Sequence, residues 1–140
     1  MKIITPQDEH VYSILGLMKQ LAIECGSTNG RTEAWFIRSK IKSGTIRIAI
    51  EDDVVLGVLM FRKYPKSVWV SDLIVKSRKR GHGVGRRLIR NIEGLAKRYK
   101  TLRVELNSIK TAIGFYKRAG FRISIRWPSE ACKMTKRLSQ

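Results

Sequence analysis

The stretch from Val68 to Tyr99 constrains this chain more than any other. An apolar, β-rich run, Val68 to Val75, leads into Arg78-Lys79-Arg80-Gly81-His82-Gly83-Val84-Gly85, and a helical pattern follows at once. Val84, Leu88, Ile89, Ile92, Leu95, Ala96 and Tyr99 recur along one face of that helix. A strand that turns through glycines into a helix exposes the amides of the helix's first turn at the positive end of its dipole. That arrangement suits a pyrophosphate. Gly81, Gly83 and Gly85 let the backbone approach phosphate oxygens with no Cβ in the way. Arg78, Lys79, Arg80, Arg86 and Arg87 flank the loop with cationic donors. A flexible glycine-rich turn would show the same spacing. Two nucleotide motifs fail in detail. The dinucleotide fingerprint needs Gly-x-Gly-x-x-Gly and an acid about 20 residues on. Here the spacing is Gly-x-Gly-x-Gly in mid-chain, and Glu105, the acid nearest that offset, sits mid-strand beside Arg103. The P-loop needs Gly-Lys-[Ser/Thr], and none follows.

The remainder organises around this unit without repeats, low-complexity segments or a linker. Val11, Ile14, Leu15, Met18, Leu21 and Ala22 share a helix face, with Pro6 suited to its start and Gly26 to its exit. Thr32 to Ile41 reads as a shorter helix stopped before Gly44. Thr45 to Ile50 and Val54 to Phe61 read as a hairpin across the acidic turn Glu51-Asp52-Asp53. Beyond Tyr99, Leu102, Val104 and Leu106 alternate with Arg103, Glu105 and Asn107, the pattern of a half-buried strand. Ile109 to Ala119 reads as a helix, Phe121 to Trp127 as a strand, and Ala131 to Leu138 as a strand that pairs back on it. The order β-α-α-β-β-β-α-β-α-β-β describes an α/β chain, a mixed sheet covered by helices.

Length and charge set the class. A chain of 140 residues fits one domain, and its longest apolar runs fall far short of the roughly 18 residues that span a bilayer. No apolar segment of signal-peptide type follows Lys2. Cys25 and Cys132 are too few for a disulfide framework or a metal cluster and lack a recognisable His partner, so a reduced, cytoplasmic protein is expected, with no metal and no thiol nucleophile. The formal net charge is +18. Residues 1–53 are neutral, with 7 bases and 7 acids, so residues 54–140 carry the whole excess with 22 bases against 4 acids. Such a field draws polyanions to the surface without saying which. A solvated face that only confers solubility gives the same count.

Two segments, in order, carry a specific resemblance. Val75 is followed five residues later by Arg80-Gly81-His82-Gly83-Val84-Gly85. The next helix carries Ala112-Ile113-Gly114-Phe115-Tyr116-Lys117-Arg118-Ala119-Gly120-Phe121. The first resembles the diphosphate loop of the GNAT superfamily of N-acetyltransferases, Arg/Gln-x-x-Gly-x-Gly/Ala. The second resembles that family's Ala-Ile-x-Phe-Tyr-x-x-x-Gly-Phe motif. The likeness runs over residues 45–138. It implies a mostly antiparallel GNAT-like sheet in a single acetyltransferase domain over 1–140, with 45–140 as the CoA-binding core and 1–44 as the variable acceptor side.

The resemblance implies an acetyl group passed from acetyl-CoA to a primary amine by direct attack through a tetrahedral intermediate. It places Leu73, Ile74 and Val75 with Arg80, Gly81, His82, Gly83, Val84 and Gly85 against the cofactor, and Ala112 beside them. The family's Asn three residues before that Ala is Ile109 here, so Asn107 is the candidate to stand in for it at the pantetheine arm. Tyr116 is the candidate general acid for the departing thiolate; packing with Phe115 and Phe121 would equally account for it. Asp72 is the only acid between Asp53 and Glu93 and alternates onto the face of Val70 and Ile74. Poor solvation there suits a base. A frequent Glu position of the family, one residue earlier, is Ser71, and a salt bridge to an arginine is the plainer role for Asp72. Glu105 reads as half of a surface ion pair with Arg103, and His82 as an ordinary loop side chain.

One cofactor does not need so large a charge. Arg86, Arg90, Lys97 and Arg98 point away from the apolar stripe of their helix. Such a surface repels polycationic acceptors and favours an amine carried on an acidic or nucleic-acid-containing partner. The alternative is a catalytically inactive module of the same fold that binds nucleic acid through Trp35, Trp69, Trp127 and Tyr64 beside the bases. Edge strands in the C-terminal region leave room for a homodimer.

Overall fold

The computed structural model describes residues 1–25 and 33–139. Strand β1 (Lys2–Ile4) is followed by a 3-10 turn (Asp8–His10) and α1 (Val11–Cys25). The turn is closed at its start by the Gln7 amide, which donates to His10 Nδ1 at 2.9 Å. Gly26 and Thr32, expected as helix boundaries, lie outside the described residues. Helix α2 (Ala34–Ser43) stops at Gly44, whose φ of 71° is left-handed and which bonds back to Ile41 and Lys40. The meander β2 (Ile46–Glu51), β3 (Val54–Lys63) and β4 (Ser67–Val75) follows. Asp52 and Asp53 both have positive φ (50° and 64°), the backbone that a tight two-residue hairpin needs. Helix α3 (Val84–Arg98), β5 (Arg103–Ser108), α4 (Ile113–Arg118), β6 (Arg122–Arg126) and β7 (Cys132–Arg137) complete the order. It is the order read from the sequence.

The strands form one seven-stranded sheet, β1-β2-β3-β4-β5-β7-β6. The β1/β2, β2/β3, β5/β7 and β6/β7 pairs are antiparallel, while β4 and β5 run parallel. Their ladder extends from Ser67↔Arg103 to Val70↔Leu106, and β4 continues to Val75 past its last pair. The expected helix from Ile109 begins instead as a 3-10 turn (Lys110–Ala112), with the Ala112 amide bonded to Ile109 O at 3.0 Å, and becomes α-helical at Ile113.

Contacts divide the chain into two compact units, Met1–Met60 with Asp72–Leu88 and Phe61–Ser71 with Ile89–Gln140. In the first, Val11, Ile14, Leu17 and Met18 of α1 and Ile37 of α2 form a core with Ile46, Ile48, Val58, Met60 and Ile74 of the strands. The spacing of α1's apolar residues is what puts them on that one buried face. In the second, Ile92, Ala96, Val104, Cys132 and Met134 are fully buried, and Cys132 is a free thiol. No helix among the described residues is long and apolar enough to cross a membrane.

Candidate active site

In the first unit, β4 delivers Asp72 and Leu73–Val75 directly into the glycine loop. Buried and half-buried residues alternate along this stretch, and Asp72 falls on the buried side with Val70 and Ile74, at 6% exposure. The Lys76 amide still bonds to Leu56 O at 2.8 Å, so β3 holds the strand up to the loop's first residue. A 3-10 turn (Ser77–Lys79) and the bonds Lys79 N to Lys76 O and His82 N to Lys79 O then wind the chain tightly. Gly81 and Gly83 have φ of 80° and 85°, and open space surrounds the position of a Cβ at either one. Side chains rarely adopt that backbone, which is why glycine stands at both positions.

The first α3 hydrogen bond runs from the Arg87 amide to Gly83 O at 3.1 Å. The amides of Val84, Gly85 and Arg86 therefore have no acceptor within the helix. Val84 and Gly85 are buried, whereas residues 80–83 are exposed. Gly57 of β3 makes room for this helix start: a Cβ there would lie 3.0 Å from both Val84 Cγ1 and Leu88 Cδ1.

The cations around the loop are not equivalent. Arg80 donates through Nε to Val75 O at 3.1 Å and through Nη2 to Glu24 Oε1. Arg87 donates to Met1 O at 3.0 Å. Burial pushes the Glu24 carboxyl up, but hydrogen bonds from Arg80 and Gln20 outweigh it and hold it below its ordinary value. Glu24 is a partner that the sequence reading missed. It lies 56 residues from Arg80, and no local pattern signals the contact.

In the second unit, Asn107 lies exposed on β5 opposite Lys133. Ile109, at the position expected for an Asn, caps the 3-10 turn and is half exposed, and Ala112 ends that turn. Tyr116 is 9% exposed on α4. Its ring meets Phe115 edge-on with centroids 5.0 Å apart and Phe121 at 5.7 Å. Glu105 departs from expectation. It does pair with Arg103, but its carboxylate is buried at 6% exposure, because Lys133 of β7 covers it from the other side at 2.8 Å. Burial alone would raise its pKa; the hydrogen bonds from Lys133 and Arg103 prevail and keep it below the usual range. A carboxylate held anionic by two cations is a structural group.

The structure thus brings Asp72 to Gly85 together in one unit, and Asn107, Ala112 and Tyr116 in the other. No three His, Cys, Asp or Glu side chains among the described residues are grouped to hold a metal.

Residues 42–123 match the profile of the acetyltransferase (GNAT) domain. The chain belongs to the GNAT acetyltransferase family. No curated protein matches its sequence. Among solved structures, this GNAT chain is similar to Ard1 from Thermoplasma volcanium, with a TM-score of 0.84 and 19% identity, covering 99% of this chain and 98% of the other. It is also similar to the PaiA N-acetyltransferase from Thermoplasma acidophilum in complex with coenzyme A, at a TM-score of 0.83 and 14% identity, covering 97% and 98%. An aminoglycoside 6'-acetyltransferase type Ii gives 0.82 at 16% identity, covering 100% and 99%. At these identities the likeness is one of fold. It spans the whole GNAT chain, including the segment ahead of the matched profile.

Proposed function

We propose that residues 1–140 act as one acetyltransferase domain, moving an acetyl group from acetyl-CoA to a primary amine on an acidic or nucleic-acid-containing partner. The glycine loop carries this reading: left-handed Gly81 and Gly83 feed a helix start whose three leading amides lack internal acceptors. Those donors and open backbone fit a diphosphate. Arg80, Gly81, His82, Gly83, Val84 and Gly85 hold it in this proposal, and Leu73, Ile74, Val75, Asn107 and Ala112 line the pantetheine and acetyl end. The PaiA N-acetyltransferase structure is a complex with coenzyme A, which supports the same ligand here.

The thioester supplies the activated acetyl group. Asp72, buried on β4, takes the proton of the attacking amine. A backbone amide in Leu73–Val75 donates to the oxygen that gains charge; these residues lie past the last β4/β5 pair, Val70 with Leu106. Tyr116 gives its phenolic proton to the departing thiolate. The α4 ring cluster fixes its orientation.

The test is calorimetric titration with acetyl-CoA, followed by a CoA-release assay over peptides, ribosomal proteins, aminoacyl-tRNA and small amines. Tyr116→Phe is expected to lower turnover by about 10²-fold or more with acetyl-CoA affinity nearly unchanged. Unchanged turnover on the true acceptor would make Tyr116 a packing residue. Nucleic-acid binding with no heat from acetyl-CoA would favour the inactive module instead.

A further inference from the structure

The fold gathers cations from two distant segments onto one surface of the second unit. The first segment is the tip of the β3–β4 hairpin, where Lys63 and Lys66 flank Tyr64-Pro65. The second is the end of α3, with Lys97, Arg98 and Lys100. Three contacts hold the surface together. The Tyr64 amide bonds to Ser67 O at 2.8 Å and closes the hairpin. The Leu102 amide bonds to Lys66 O at 2.9 Å and ties the hairpin tip to the segment after α3. Lys63 Nζ lies 4.0 Å from the centre of the Tyr99 ring. The exit of α3 is itself fixed: Lys100 has a φ of 59°, and the Thr101 amide and hydroxyl both bond to Ala96 O.

All five of these cations are exposed. Neither Phe61–Ser71 nor Gly94–Val104 contains an acid. The acids nearest in sequence are committed elsewhere: Glu93 bonds to Lys136 at 2.8 Å, Glu105 is covered by Arg103 and Lys133, and Asp72 is buried. Lys97 and Arg98 also complement the negative end of the α3 dipole, but a helix terminus accounts for two cations at most, not for the pair on the hairpin. Beside them the Tyr64 ring is 46% exposed at the tip of a short turn. A cationic track with a free aromatic face is the chemistry that holds an unpaired strand: phosphates meet the cations and a base stacks on the ring. A duplex hides its base faces and cannot use that ring.

We infer that this surface, built from the β3–β4 turn and the end of α3, binds a single-stranded nucleic acid. The inference rests on the reading of a nucleic-acid-containing acceptor partner and deepens it by naming where the nucleic acid lies and in what form. It also relocates the contact. Of the exposed bases singled out on α3, Lys97 and Arg98 belong to the surface, and their partners come from a hairpin more than 30 residues earlier.

The test uses the full chain without acetyl-CoA and a fluorescein-labelled 12-nucleotide single-stranded RNA, read by anisotropy at two salt concentrations. With about five phosphate contacts on a single strand, log K should fall with log salt at a slope near −3.5, roughly a hundredfold loss between 50 and 200 mM. Replacing Lys66, Lys97 and Arg98 together by Gln should flatten the slope by about 2. Tyr64→Ala should weaken the single strand by about tenfold, with a duplex of the same length unaffected. The comparison variant replaces Arg118, Arg122 and Arg126 by Gln, removing equal charge elsewhere. An equal flattening by that variant would make the effect one of bulk charge and overturn the inference. So would duplex binding as tight as single-strand binding, displacement of the RNA by polyglutamate at equal charge, or no RNA binding at 50 mM salt. Acetyl-CoA titration of the same variants keeps the two readings apart: RNA binding without acetyl-CoA binding sinks the enzyme reading alone, and the reverse sinks this inference alone.

Discussion

Gly57→Ala tests how the glycine loop is supported. The added methyl would lie 3.0 Å from Leu88 Cδ1, 3.0 Å from Val84 Cγ1 and 3.2 Å from Ile74 O. Relaxed carbon contacts lie at about 3.5–4.0 Å, so two contacts are short by about half an ångström. The third is with a backbone oxygen of β4, which cannot rotate aside. Val84 and Leu88, one turn apart at the start of α3, are both buried. Relief therefore comes from moving the helix start outward. Overpacking of this kind costs about 1–3 kcal/mol. Loss of glycine's freedom in the unfolded chain offsets roughly 0.4–1 kcal/mol. The net expectation is a destabilisation of about 1–2 kcal/mol, a fall in Tm of about 3–6 °C for a chain of this size. The amides of Val84–Arg86 move with the helix, so acetyl-CoA affinity should fall as well. Gly94→Ala is the matched comparison, because nothing lies within 4 Å of a Cβ there. In the interior of α3 that change should stabilise by up to about 1 kcal/mol. Thermal unfolding and acetyl-CoA calorimetry on both variants decide the matter. A Gly57→Ala protein with parental Tm and parental affinity would refute the packing argument.

Two further perturbations follow from the same geometry. Gly83→Val forces a β-branched residue into a φ of 85°; it should cost about 1–2 kcal/mol, leave the circular dichroism spectrum native and abolish the acetyl-CoA heat, whereas full affinity in the folded variant would remove the loop from cofactor binding. Glu105 is held below its ordinary value of 4.5 in the folded state, so its stabilisation is complete above that value and is lost as pH falls through the folded pKa. Glu105→Gln should cost roughly 1–3 kcal/mol at pH 7 and flatten the acid limb of the stability curve, with Glu24, lowered in the same direction, supplying what remains. A parental acid limb in urea titrations below pH 4.5 would show that the buried ion pair contributes nothing.

The elements legible in the sequence were those written in local periodicity. Alternation along Val68–Val75 and Val104–Leu106 gave the strands and anticipated the burial of Asp72, and the long apolar stripe of α3 placed the helix after the loop. Lys110–Ala112 was harder: three-residue and four-residue hydrogen bonding need almost the same pattern, so a 3-10 turn reads as helix. Glu105 looked solvent-facing because alternation reports which face a residue occupies, not what lies across it. Its cover comes from Lys133, 28 residues on, and from the pairing of β7 with β5 as well as with β6. The pairing of β7 with β6 could be expected from a hairpin, but the pairing with β5 is a long-range choice that no window of sequence contains. The loop residues of the candidate site were legible for the opposite reason. They are contiguous, and both left-handed positions are glycine.

The strand order β5-β7-β6 has a bearing on how the protein is made. The strand between the other two is the last to be synthesised, so during translation β5 and β6 leave the ribosome with no partner between them. At ordinary elongation rates of about 5–20 residues per second, the stretch from Ser108 to Cys132 keeps the outer edge of β5 open for at least a second. Closure of that part of the sheet waits on Cys132–Arg137, the segment that pairs with both neighbours. A chain that stalls or is cut before Cys132 carries two unsatisfied strand edges, the kind of surface that recruits chaperones or other nascent chains.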